Sequence, residues 1–146
     1  SMSHQSLTGT ISNFSPSITV HDANNKVLVL GMITCDTSSG NYYNAIGVLL
    51  YRNGSLIGAG NASGSRRRVH SSVATAAGYY NANRGPSSGN IHHLDTPGSG
   101  THTYSIQLSN NYAATNTIYI NDGGSQSNHI TRVRTVSTFT LMEIAA

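Results

Sequence analysis

Tyr79, Tyr80, Asn81, Asn83 and Arg84 crowd together around one Gly-, Asn- and Pro-rich stretch of the chain. Flat phenol rings stack on sugar faces, while amides and a guanidinium bond hydroxyl groups, so this stretch has the makings of a glycan site on a loop. Tyr42 and Tyr43, set between Asn41 and Asn44, repeat the combination. The same residues also serve as plain loop anchors in β-rich chains. A second kind of chemistry is offered by Arg66, Arg67 and Arg68. On a strand, Arg66 and Arg68 share a face opposite Arg67, and their guanidinium forks suit phosphates or acidic sugars. The plainer reading is a solvated strand edge guarded against aggregation, or arginines paired with carboxylates across an interface.

Catalytic and metal chemistry fare worse. Of the seven histidines, His92 and His93 are adjacent and face opposite ways on a strand, so they do not readily share a metal. His102 could approach either of them across the 94–101 turn, and a threefold axis could gather copies of one histidine. Surface or interface hydrogen bonding is the simpler expectation. The carboxylates are Asp22, Asp36, Asp95, Asp122 and Glu143, a poor supply for the positioned acid pair that sugar hydrolysis requires. Asp95, just before Pro97, is expected to cap backbone donors, and Glu143 to pair with Arg132 or Arg134 at a subunit boundary. There is no GxSxG elbow, and GAGNASGS (58–65) lacks the lysine and following helix of a phosphate loop. The residues point to a protein without catalysis, metal or cofactor.

The elements that must position these groups are strands. The chain has 146 residues, of which only 9% are charged, well under the usual quarter, and 15 are glycine; Ser, Thr and Asn are abundant. This is the composition of a turn-rich all-β protein with a neutral polar surface. The length suits one domain, assigned to residues 11–146. Residues 1–10 read as a flexible lead-in, with Ser1 a tag scar ahead of a start methionine. The formal charge of +3 is largely local, because three of the eight basic residues are consecutive. A nucleic-acid binder would carry a broader basic stripe. Cys35 is a lone cysteine at the end of an apolar run, read as a small buried thiol. No run is long enough to insert in a membrane as a helix.

Strand signals recur at short intervals. Residues 11–20 are broken by Pro16, which marks an edge or kinked strand. KVLVLGMITC (26–35) is a continuous apolar run, and 44–60 reads as a hairpin turning at Asn53-Gly54. VHSSVATAAGYY (69–80) is a weaker strand, IHHLDTP (91–97) a short one, and THTYSIQLS (101–109) alternates cleanly with Tyr104, Ile106 and Leu108 inward. NTIYIND (116–122) follows, with Ile118 and Ile120 inward. The last is VSTFTLMEI (136–144). About eight to ten antiparallel strands and no helix predict a β-sandwich or barrel.

Several of these strands are apolar on both faces. Val27, Val29 and Ile33 oppose Leu28, Leu30 and Met32; Ile46, Val48 and Leu50 oppose Ala45 and Leu49; Phe139 and Leu141 oppose Met142 and Ile144. A two-layer sandwich buries one face of each sheet. With no helix to cover the other, the pattern predicts association of subunits through a sheet face.

The order LDTP (94–97), THTYSIQL (101–108), TIYIN (117–121), a polar loop with arginines and STFTLMEI (137–144) resembles the carboxy-terminal head domain of phage tail-fibre and related virion proteins, including cyanophage-like ones. The resemblance covers about 50 residues well and about 120 loosely. It implies a jelly roll similar to tumour-necrosis-factor head domains, assembled as a homotrimer whose inner sheet contains the last strand. Met142, Ile144, Leu28 and Leu30 would then face the neighbouring subunits. The implied function is trimerisation and host-surface glycan adhesion on a virion, with an upstream fibre or tail segment as a further partner. A secreted cellular lectin or adhesion module of the same fold is the alternative.

Overall fold

The computed structural model describes residues 8–10, 14–37, 45–74, 86–110, 118–122 and 133–146. Every regular element among them is a strand: β1 (Thr8–Thr10), β2 (Ser17–Val20), β3 (Lys26–Thr37), β4 (Ala45–Arg52), β5 (Ser55–Ile57), β6 (Ser71–Ala74), β7 (Ser87–Asp95), β8 (Gly100–Asn110), β9 (Ile118–Ile120) and β10 (Thr138–Ile144). The ladder begins at Thr8, inside the segment read as a lead-in, because Thr8–Thr10 pairs with Ser109–Gln107 of β8.

The first sheet runs β1-β8-β4-β5, with β2 also on β8 and β6 also on β4. The second runs β10-β3-β7, with β9 also on β3. All pairs are antiparallel. The two sheets pack face to face as a β-sandwich, and the chain switches sheet between β2 and β3, β3 and β4, β6 and β7, β7 and β8, and β8 and β9. Of the edge or kinked strand expected at Pro16, the edge is what the structure shows, with residues 14–20 following one side of β8. Pro16 O accepts from Tyr104 N at 3.0 Å and Phe14 O from Ile106 N at 3.3 Å before the β2 ladder takes over. Proline has no N–H to give but keeps its carbonyl, so an edge is where it fits.

The core lies between the sheets. Val27, Val29, Ile33 and Cys35 of β3 meet Ile46, Val48 and Leu50 of β4, Ile91 of β7, and Tyr104, Ile106 and Leu108 of β8, all buried. Phe139 and Leu141, which alternation places on one face of β10, both pack against this cluster. Gly89 sits where β7 crosses over Val48 and Val73: a Cβ there would lie 2.9 Å and 2.8 Å from their methyl carbons.

Two expectations are corrected. The strand read over 69–80 begins at Ser71 and not at Val69, and runs to Ala74; residues 75–80 lie outside the described ones. The arginine run before it is irregular, so Arg66 and Arg68 do not display a strand face. And the second face of β4 is covered by its own chain rather than left for a neighbour. Val69, arriving from the irregular segment after β5, packs over Gly47, where a Cβ would stand 2.6 Å from its Cγ1. Leu49 beside it is 7% exposed. A loop can bury a strand face as well as a helix can, provided its own polar groups are paired. Gly60 N donates to Val69 O at 3.2 Å and His70 N to Val48 O at 2.8 Å, which meets that condition.

Candidate functional site

The outer face of the second sheet is built by register. β3 presents Leu28, Leu30 and Met32 outward because Val27, Val29 and Ile33 point into the core. Antiparallel pairing sets Met142 opposite Leu28, Thr140 opposite Leu30 and Thr138 opposite Met32. On the other side Leu94 lies opposite Leu28, His92 opposite Leu30 and Asn90 opposite Met32. Leu28 and Leu30 are half-buried by their neighbours, while Met32 is 37%, Met142 39%, Ile144 40% and Leu94 52% exposed. The result is a contiguous apolar surface on three strands. Scattered exposed hydrophobes are ordinary, whereas a group of them gathered on one face is a candidate interaction surface. Leu28, Leu30, Met142 and Ile144 are therefore brought together on one face by the β10–β3 register. Leu94 and His92 complete the face without having been expected on it; the outward position of the even-numbered residues in IHHLD was the available signal.

The face has a polar border. At one end Thr34 Oγ1 and Ser88 Oγ are 2.9 Å apart, and Ser137 Oγ accepts from Thr34 N at 3.0 Å and donates to Asn121 Oδ1 at 2.5 Å. Lys26, paired with Ile144, stands at the other end. Glu143 turns to the opposite side of β10. Its carboxylate accepts from His21 N at 2.8 Å and Asn25 Nδ2 at 2.7 Å and lies 2.9 Å from His21 Nδ1. Those bonds, Asn25's first and then His21's, hold the Glu143 carboxyl down at about 2. Glu143 is held by this clasp on the β2–β3 turn and not by Arg134; Arg132, the other partner expected for it, is outside the described residues.

Asp95 likewise does not cap backbone donors. Arg52 Nη1 donates to its Oδ1 and Oδ2 at 2.8 and 2.7 Å, and Tyr104 Oη donates to Oδ2 at 2.7 Å. Arg52 and Tyr104 are register partners in the first sheet and Asp95 belongs to the second, so the cluster ties the layers together at one end of the sandwich. Burial and the neighbouring Asp95 carboxylate push the Tyr104 phenol well above its ordinary range. The cluster is packed and its charges are paired.

The arginine run is partly engaged within the chain. Arg68 Nε donates to Gly60 O at 2.7 Å, and Arg67 Nη1 reaches Ser109 Oγ on β8. All three arginines remain exposed overall. Among the histidines, His102 accepts from Asn53 Nδ2 at 3.2 Å through Nδ1 and donates to Gly98 O at 3.1 Å through Nε2, so it serves the hairpin turns instead of approaching His92 or His93. His70 bridges Gly58 O, 2.9 Å from Nδ1, and the edge amide of His92, 3.2 Å from Nε2; its ring meets His93 edge-on at 6.0 Å. No group of three or more His, Cys, Asp or Glu gathers for a metal among the described residues. An open cleft of about 360 Å³ lies at the sandwich edge between Phe14, Ser15, Pro16 and Phe139. The glycan-type candidates Tyr42, Tyr43, Tyr79, Tyr80, Asn81, Asn83 and Arg84 lie outside the described residues.

No family model, no curated protein and no solved structure matches this chain. The chain is an all-β sandwich with an apolar outer sheet face.

Proposed function

We propose that the protein is a non-catalytic head domain of a virion fibre or tail structure. Three copies of its jelly-roll sandwich associate through the outer face of the β10-β3-β7 sheet, and their loops attach to host-surface glycans. The observation that carries the reading is that face: Leu28, Leu30, Met32, Leu94, Met142 and Ile144 form one apolar surface bordered by paired hydroxyls. An apolar centre within a polar border is the anatomy of a protein interface. A second copy is the occupant this surface suits. Among the described residues its open part carries no carboxylate and a single lysine at its end, so it neither attracts an acidic partner nor repels itself. The sheet switches along the chain are in keeping with a jelly roll. The resemblance of the carboxy-terminal half to phage fibre heads supplies the threefold count and the virion setting.

Glycan attachment belongs to the Tyr- and Asn-bearing loops, with Arg66 and Arg68 as further contacts for acidic groups. Joining three weak sites on one rigid head multiplies their effect wherever a surface repeats its ligand. Light scattering at micromolar concentration tests the assembly; the expected mass is that of a trimer, and a monomer overturns it. Glycan-array and host-adsorption assays test the attachment. Trimers that bind neither glycans nor cells would leave a trimerisation cap as the function.

A further inference from the structure

We infer that self-association through the outer sheet face is switched by the protonation of His92, with neutral pH holding the assembly and mild acid releasing it. This inference rests on the association proposed above. His92 is exposed, and its place opposite Leu30 and two residues from Leu94 puts its ring on the same face as the apolar groups. A second copy laid on that face covers the ring.

Among the described residues, no counter-charge on the open face offsets a proton there. On β3 the outward residues around it are Lys26, Leu28, Leu30 and Met32, so the one ionised group is another cation, toward the end of the strand. Asp36 lies on the same side of β3 but six residues beyond Leu30, about 20 Å along an extended strand, and is buried within its own chain. On β10 the outward residues are Thr138, Thr140, Met142 and Ile144; Glu143 is on the other side, held by His21 and Asn25. On β7 itself Ser88, Asn90 and Leu94 are uncharged. Asp95 points inward to Arg52, and His93 turns away from this face toward His70. An imidazolium enclosed here would lose its hydration and gain no carboxylate, and such burial favours the neutral ring.

The sign follows from linkage. The dissociated chain binds the proton more readily than the assembled one, so acidification favours dissociation. Each imidazole that must be neutral in the assembly opposes association once acid protonates it in the free chain, by up to about tenfold in association constant per pH unit. In a trimer three copies act together, so the transition is steep. A host compartment or surface that is mildly acidic would then loosen the head, while neutral medium would keep it closed.

The test is sedimentation equilibrium of the full chain at pH 8, 7, 6 and 5, with near-ultraviolet circular dichroism confirming that the fold persists. The wild type is expected to associate at pH 8 and to lose at least tenfold in association constant at pH 5. His92→Gln should keep its association at pH 5, and His92→Lys, a permanent cation, should be weakened at every pH. A wild-type association constant unchanged between pH 8 and 5 would overturn the switch while leaving the interface standing. Dissociation of His92→Gln in parallel with the wild type would assign the effect to another group and overturn it equally. A wild type already monomeric at pH 8 would instead overturn the association on which the inference depends.

Discussion

At the scale of single residues, the two carboxylates weighed for chemistry, Asp95 and Glu143, are engaged in holding the sandwich. Asp95 is 8% exposed, and its charge is matched by Arg52 with Tyr104 donating alongside. Removing one partner of such a pair strands the other in a poorly hydrated place. Arg52→Met should lower the unfolding free energy by about 3 kcal/mol in urea titrations, and Tyr104→Phe by about 1–3 kcal/mol, since its hydroxyl donates to a carboxylate. Glu143 gives a pH signature. Its carboxyl is depressed to about 2 in the folded chain, so its contribution is present above the unfolded carboxyl range near pH ~4.3 and is lost as pH falls toward the folded value. Wild type should melt above Glu143→Gln at pH 6, with the gap closing between about pH 4 and pH 2. Cys35 is fully buried and its thiol is pushed up to about 12, by burial first and then by the Asp36 carboxylate. A thiol-directed disulfide reagent should leave it unmodified at pH 8 until denaturant is added.

At the scale of elements, what was legible depended on whether the cause was local. The Asn53-Gly54 hairpin was readable because its requirement is written in two residues: φ is 47° at Asn53 and 81° at Gly54, the left-handed pair that a two-residue turn demands. Gly54→Val should destabilise by about 1–2 kcal/mol in thermal melts even though the added side chain enters open space, because a β-branched residue resists that φ. The cleanly alternating strand over 101–109 was readable for the same reason, since a single apolar face assigns itself to the core; alternation paired Phe139 with Leu141 but, with Met142 and Ile144 on the other side, did not say which pair turns inward. Gly47 and Gly89 were not readable. Each is small because a distant side chain, Val69 or Val48 with Val73, occupies the space its Cβ would take, and no local pattern announces that. Gly89→Ala should cost about 1–3 kcal/mol by the same thermal measurement, because the obstructing methyls belong to stiff β-branched residues in the core.

At the scale of the whole molecule, the second apolar face of β10 and the second apolar face of β4 look alike in the sequence and end differently. The first stays exposed with Met142 and Ile144, whereas the second is roofed by the segment carrying Val69. On the proposed association, Met142→Asp is expected to give a monomer in light scattering while barely moving the melting point. Phe139→Ala should cost about 2–3 kcal/mol of stability, in keeping with its half-buried ring, and leave the association state unchanged. A trimer surviving Met142→Asp would place the interface elsewhere. The all-β class, the two-residue periodicity of the strands and the tight turn follow from local sequence, because dihedral preference and alternation act over a few neighbouring residues. Which two-faced strand keeps a bare face, which carboxylate meets which cation, and why His92 joins Leu30 and Leu94 on one surface were decided only in the tertiary structure. Those outcomes depend on register between strands far apart in the chain, and side-chain alternation leaves that register open until the sheets are packed.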